Sequence, residues 1–401
     1  MGAILPEETG MPASVDTRTA AIRDAVAMLA AELASTAAER DQRGGTALRE
    51  RDLIRASGLL RLSVPAALGG LGENWIGTLQ AVRTIARADS SLAHLFAFHH
   101  LMLATIQFFG GEAQAASLLR RTVEHHWFWG NALNPLDTRT RVVRTDGGWE
   151  ISGTKSFCSG ASDSDMLIVS ALEGEEGRLR IAAIPTRRAG IRIHDDWDNM
   201  GQRQTDSGTV SFERVPVSDD ELLLEPGPMG SPHATLRPSL AQLILANIYL
   251  GIAEGALQEA KSYLHGLAAE SLDKIRTDPY VLRNVGELWV DVAGAAALAD
   301  RALASFQSGW DAGRDGVTAT QRGEIAVDIA AAKVAATRTS LSVTSRIFDV
   351  MGARATAARH RFDRFWRNAR THTLHDPVDY KLRELGDWVL NESIPSPSFY
   401  S

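Results

Sequence analysis

Two stretches of this sequence hold side chains able to exchange protons with a bound molecule. His372 and His375 stand three apart in residues 361–375, a helix-patterned run that Pro377 ends, so both imidazoles can face one side. Near neutral pH an imidazole can donate or accept a hydrogen. Far upstream, the almost wholly apolar run 92–109 contains His94, His99 and His100, and Phe98 lies one helical turn from His94. A His-x-x-His pair also suits a metal ion, yet no third ligand stands at a recognisable spacing, and the reading is no metal. Packing at a domain junction is the other role open to these histidines.

Residues 148–161, GWEISGTKSFCSGA, offer a different kind of chemistry. Trp149, Ile151 and Phe157 alternate along a β-type run, and the Ser152-Gly153 pair reads as a tight turn. Small groups follow in Cys158-Ser-Gly-Ala161, where a flat ring could approach the backbone and find the Ser159 hydroxyl. An ordinary hairpin in a β domain accounts for the same residues.

Three blocks of sequence must position these groups. Residues 17–125 read as helices broken at Gly44-Gly45, Pro65 and Gly69–Gly72, with Asp89-Ser90-Ser91 capping the buried run 92–109. From 127 to 225 the pattern becomes seven short runs, 127–131, 141–144, 149–152, 166–171, 179–185, 191–194 and 209–214, which predict a compact β barrel or sandwich. Between the last two lies a polar loop, 195–208, carrying Trp197. After a Gly/Pro-rich connector at 226–238, helices resume: an apolar run at 239–268 with Gly251 and Gly255, a helix opened by Asp278-Pro279, and another over 323–350.

The 401 residues suffice for two or three packed units. A net charge of −7 disfavours nucleic acid and anionic membranes as partners. Cys158 is the single cysteine, which excludes an intrachain disulfide. No apolar run reads as long enough to span a bilayer, about 20 residues, and 1–16 is acidic with no signal-peptide pattern. The expected location is cytoplasmic.

The helix, sheet, helix order, with 151–161 between, resembles the acyl-CoA dehydrogenase superfamily. Residues 92–96, 129–131, 157–161, 201–208, 362–368 and 370–377 are similar to its dibenzothiophene-monooxygenase-like, flavin-dependent members. The resemblance implies an N-terminal all-α domain (1–126), a middle β-barrel domain (127–232) and a C-terminal four-helix-bundle domain (233–401). Dehydrogenases of this superfamily carry a catalytic glutamate where this chain reads Leu374-His-Asp-Pro377, and Asp376 is a shorter carboxylate followed by proline. Their Arg-x-x-Phe-Gly segment for the adenosine half of FAD has no counterpart in 271–284, which favours FMN.

The resemblance further implies that reduced FMN comes from a separate NAD(P)H-dependent flavin reductase and reacts with dioxygen to a C4a-hydroperoxyflavin. One oxygen atom then enters a small apolar substrate, expected to be an organosulfur compound. His94, Ser159, His372 and His375 are the expected catalytic groups, with Asn131, Phe157, Ser159 and His375 at the flavin ring and Arg283 and Arg354 at its phosphate. Phe98, Trp197, Leu95 and Met102 would line the substrate pocket. A homotetramer built on the C-terminal helices is expected. The alternatives are an FAD-containing acyl-CoA dehydrogenase using Asp376 as base and a non-catalytic flavin-fold binding module.

Overall fold

Alanine-rich segments with apolar residues at helical spacing form the two ends of the molecule, and the middle third pairs into a sheet. The computed structural model describes residues 15–400, so of the acidic stretch 1–16 all but the last two residues lie outside the described residues. The first block is α1 (Val15–Arg43), α2 (Leu48–Ala56), α3 (Trp75–Ala88), α4 (Ser90–Phe109) and α5 (Glu112–His125). Asp89 caps α4 by accepting from the Leu92 N–H at 3.0 Å, and Arg40 of α1 fixes that carboxylate at 2.6 Å. Nearly every side chain of α4 is buried, as its composition requires.

The sheet strands are β1 (Trp129–Ala132), β2 (Arg141–Thr145), β3 (Gly148–Lys155), β4 (Met166–Glu173), β5 (Arg178–Pro185), β6 (Ile191–Ile193) and β7 (Val210–Val217). β5 pairs with β4 along its whole length; β1 and β2 take successive parts of the opposite edge of β4, and β3, β7 and β6 follow β2. The result is one curled sheet, which answers to the compact β unit expected over this stretch. Ser152-Gly153, however, is not a turn. β3 runs straight through it, with a bulge between Ile151 and Gly153 against β7. Gly153 has φ +128°, and a Cβ there would lie 2.2 Å from the Arg139 carbonyl, so the glycine answers to a close backbone approach.

The last block is α6 (Leu236–His265), α7 (Ala269–Thr277), α8 (Pro279–Gly316), α9 (Ala319–Met351), α10 (Asp363–Thr373) and α11 (Val378–Asn391). Asp278 caps α8 by accepting from the N–H groups of Tyr280 and Val281, with Pro279 in the first turn. α6 starts earlier than the connector suggests, and Pro238 sits in its first turn, where a missing N–H costs nothing. Gly251 and Gly255 let α3 press onto α6: a Cβ at Gly255 would lie 2.2 Å from the Arg87 carbonyl.

One apolar core runs through both helical blocks, and a second, smaller one lies within the sheet. α4 and α6 are each long and apolar enough to cross a membrane, contrary to the sequence reading; in the fold 94% and 83% of their most apolar windows are buried. These two helices meet the sheet at the seam that holds the cavity.

Candidate active site

A cavity of about 680 Å³ opens where α4, α6, α10, the loop after β3, the β6–β7 loop and the chain end converge. His94, Phe98, Asn131, Phe157, Ser159, Trp197, His372 and His375 all line it. Four expected residues do not. Leu95 and Met102 are buried in the helical core: successive residues of α4 turn by about 100°, and Leu101, seven beyond His94, takes the cavity face instead. Arg283 is exposed on α8, paired with Glu287 at 2.6 Å, and Arg354 is exposed just beyond α9; neither reaches the cavity of its own chain.

At one wall a hydrogen-bonded chain runs from His94 Nε2 to Ser159 Oγ (2.9 Å), Ser207 Oγ (2.8 Å), Thr205 Oγ1 (2.7 Å) and the Gln202 carbonyl (3.0 Å). A carbonyl can only accept, so every hydroxyl in the chain points its hydrogen toward Gln202. Ser159 then accepts from His94, which is the Nε2–H tautomer with a bare Nδ1. That Nδ1 is buried and has no partner in the protein. Burial, reinforced by the charge of a protonated His375, holds His94 down at about 3, so this imidazole is neutral.

The His94 ring stacks on Phe98 with centroids 3.9 Å apart and meets the His372 ring edge-on at 4.8 Å. Tyr249 of α6 donates to the His372 carbonyl at 2.8 Å, which fixes the end of α10. Neither ring nitrogen of His372 has a partner, and burial first, then His94, keeps this residue far below the usual histidine range. The His375 N–H bonds the His372 carbonyl at 3.1 Å, which carries the helical turn far enough to bring both rings to the cavity. His375 opens onto the cavity beside Tyr400, and its enclosed position, with Lys333 and Arg237 nearby, lowers it to about 4. The imidazole wall is therefore neutral at physiological pH.

Asp376 turns elsewhere. It does not line the cavity; its carboxylate faces the buried Lys333 ammonium at 3.9 Å. Burial raises Asp376 and lowers Lys333, each partly countered by the other's charge.

Cations brace the loops that carry Phe157, Ser159 and Trp197. Arg51 donates to the Gly160 carbonyl at 2.9 Å and pairs with Asp206 at 3.5 Å, and Arg40 donates to Gln204 at 2.7 Å. From α10, Arg367 donates to the Met200 carbonyl and Asn368 accepts from the Gln202 N–H, both at 2.7 Å. Trp197 Nε1 donates to the Gln202 carbonyl at 2.9 Å. Phe157 adopts φ +59°, uncommon for a bulky side chain, and stays 60% exposed with its ring edge-on to Trp197. His99 and His100 serve the core: His99 bonds the Leu60 carbonyl at 2.7 Å and the Trp129 N–H at 3.2 Å, and His100 bonds Ser63 at 2.8 Å.

Sequence reasoning missed Thr205, Ser207, Arg237, Phe399 and Tyr400. The Gly201–Gly208 motif held the first two, but nothing in it marked which hydroxyls face inward. Arg237 falls within the stretch expected to be the connector 226–238, and only the fold places it in α6 and on the cavity.

Family models match the chain in order: acyl-CoA dehydrogenase N-terminal domain over 16–126, middle domain over 130–215 and C-terminal domain over 243–380. The probable FMNH2-dependent monooxygenase SfnC of Pseudomonas putida is 54% identical over 382 residues, spanning 93% of this chain and 95% of the relative. Methanesulfinate monooxygenase MsuC from Pseudomonas fluorescens matches with a TM-score of 0.91 and 55% identity, covering 94% of this chain and 99% of that one. TdsC, the dibenzothiophene monooxygenase of Paenibacillus sp. A11-2, solved with FMN bound, matches with a TM-score of 0.89 and 45% identity over 94% and 99%.

Proposed function

The chain belongs to the acyl-CoA dehydrogenase family, and from that membership we propose that it is a two-component flavin-dependent monooxygenase, taking reduced FMN from a separate NAD(P)H-dependent reductase and oxidising a small organosulfur compound with dioxygen. One observation carries the reading against a dehydrogenase: neutral imidazoles, His94, His372 and His375, front the cavity, while the carboxylate at the dehydrogenase position, Asp376, faces Lys333 outside it. Proton abstraction from a thioester needs a base within hydrogen-bond reach, and Asp376 is not so placed.

The residues present fit FMN. The cavity has the size of a ligand site, Phe157 and Trp197 supply flat apolar surface, and the unpartnered ring nitrogens of His94 and His372 await a polar partner. When bound, reduced FMN supplies the two electrons that activate dioxygen. Ser159, its hydrogen committed to Ser207, would meet the ring's N5 as an acceptor, which suits dihydroflavin, whose N5 carries a hydrogen. Asn131 and Phe157 would flank the ring, and His375 would hold a hydrogen toward its reactive edge. The apolar side chains of Phe98, Leu101 and Leu245 in the lining would limit water beside a bound flavin.

Arg283 and Arg354 serve a flavin phosphate in this reading only from a second copy of the chain. Exposed Tyr280, Leu282, Trp289 and Val290 on α8, with Trp388, Val389 and Leu390 on α11, support a tetramer assembled through the C-terminal helices. We place the enzyme in the cytoplasm, with its reductase.

An oxygen electrode tests the proposal. With photoreduced FMN and an organosulfur substrate, product should form in proportion to flavin oxidised. His375→Ala should keep FMN affinity and lose most of the product, releasing peroxide instead. Unchanged product yield in that variant would remove His375 from the reaction.

A further inference from the structure

Arg237 brings a positive charge to the cavity lining, which a purely apolar substrate leaves unexplained. It stands in the first turn of α6, and its Nε donates to Thr105 Oγ1 of α4 at 3.1 Å, which fixes the guanidinium against the wall. Thr105 is held in turn by its bond to the Leu101 carbonyl at 2.7 Å. No carboxylate pairs with Arg237 among the described residues, and its terminal nitrogens, on the cavity lining, have no protein partner. Burial alone depresses it, to about 10, so it stays charged. Of the lining side chains the one carboxylate, Asp198, is exposed, and the three histidines are neutral. An enclosed cation without a counter-charge is costly unless a ligand brings one.

Resting on the monooxygenase reading above, we propose that Arg237 is the specificity-determining residue of this cavity, and that it selects a small organosulfur oxyanion, a short-chain sulfinate, over neutral sulfur heterocycles. A guanidinium fork matches two oxygens on one atom. Gripping both sulfinate oxygens leaves the sulfur lone pair free to be oxidised. In the reaction, that lone pair forms a new S–O bond with one atom of dioxygen as the O–O bond breaks. Sulfinate becomes sulfonate, and the second oxygen leaves as water with two electrons and two protons from dihydroflavin. Leu101, Ala241 and Leu245 leave room for a short alkyl group beside the fork.

The flavin phosphate is the competing occupant. Arg237 lies close enough to His375 for its charge to depress that imidazole. In the proposed arrangement His375 faces the reactive edge of the ring, and the phosphate sits at the other end of the ribityl chain.

The experiment compares wild type with Arg237→Gln and Arg237→Lys, using methanesulfinate, dibenzothiophene and FMN as probes. Losing a charge-assisted, two-pronged contact should raise the KM for methanesulfinate roughly ten- to a hundredfold in Arg237→Gln. Arg237→Lys should recover part of it, while the Kd for FMN moves less than about twofold. An unchanged KM overturns the proposal, and so does an FMN affinity that falls in step with it, which would make Arg237 a phosphate ligand. Calorimetric binding of methanesulfinate to the FMN-loaded protein separates the two claims. Arg237-dependent binding without oxidation sinks the monooxygenase reading and keeps the anion site; oxidation of dibenzothiophene with no Arg237-dependent anion binding does the reverse.

Discussion

Ser207→Ala tests whether the polarity of the Ser159 chain matters to the flavin. In the native chain the Ser159 hydrogen is spent on Ser207 at 2.8 Å because Ser207 passes its own to Thr205 at 2.7 Å. Removing the Ser207 hydroxyl frees that hydrogen, and Ser159 can then donate to the bare N5 of oxidised FMN. One hydrogen bond of this kind is worth about 1 kcal/mol. The preference of the site for dihydroflavin over oxidised flavin should therefore fall about fivefold, and the midpoint potential of bound FMN should drop by roughly 20 mV. Folding should suffer little, since Thr205 keeps its bond to the Gln202 carbonyl. Anaerobic fluorimetric titrations with FMN and photoreduced FMN measure the ratio directly. An unchanged ratio would refute the assigned direction of the chain, and with it the Nε2–H tautomer of His94.

Acid should unfold the protein through its buried histidines. His94, His99, His100 and His372 are all held below the ordinary histidine value, chiefly by burial, with His94 near 3 and His99 near 4. Their stabilisation is complete above pH 6.5 and is lost as pH falls from there toward the folded values, because the unfolded chain takes up the proton first. The slope is up to about 1.4 kcal/mol per pH unit for each, and urea midpoints at pH 7.5 and 5.5 should show it, with a smaller difference in His100→Gln. Gly255→Ala should cost about 1–3 kcal/mol, read as a fall in urea midpoint, because its Cβ meets the Arg87 carbonyl at 2.2 Å. Phe157→Asn places a residue that tolerates φ +59° at that strained position; the flavin-free protein should melt no lower than wild type while FMN binds more weakly.

Much of this architecture is legible in residue types alone. Asp89 and Asp278-Pro279 announce helix starts because their side chains satisfy N–H groups that no intrahelical carbonyl can reach. The seven strands follow from alternation and from Gly and Pro breaks. Ser152-Gly153 misleads because a glycine demanded by a neighbouring carbonyl looks the same in sequence as one demanded by a turn. His94 and Phe98 follow from helical periodicity, whereas Leu95 and Met102 fail because proximity along the chain says nothing about which face of a buried helix meets the cavity. Arg237 was illegible for a related reason: that no carboxylate among the described residues pairs with it is a property of the fold. Burial likewise settles the neutral state of the imidazoles, which the sequence leaves open between neutral and cationic.

Isotopic labelling asks the central question most directly. Dihydro-FMN is mixed with the protein and methanesulfinate under ¹⁸O₂, and the sulfur product is weighed by mass spectrometry. One ¹⁸O per product molecule, with the second atom of dioxygen in water, is the result this account predicts. Product free of label, or tightly bound FAD that desaturates an acyl thioester without consuming dioxygen, would contradict it.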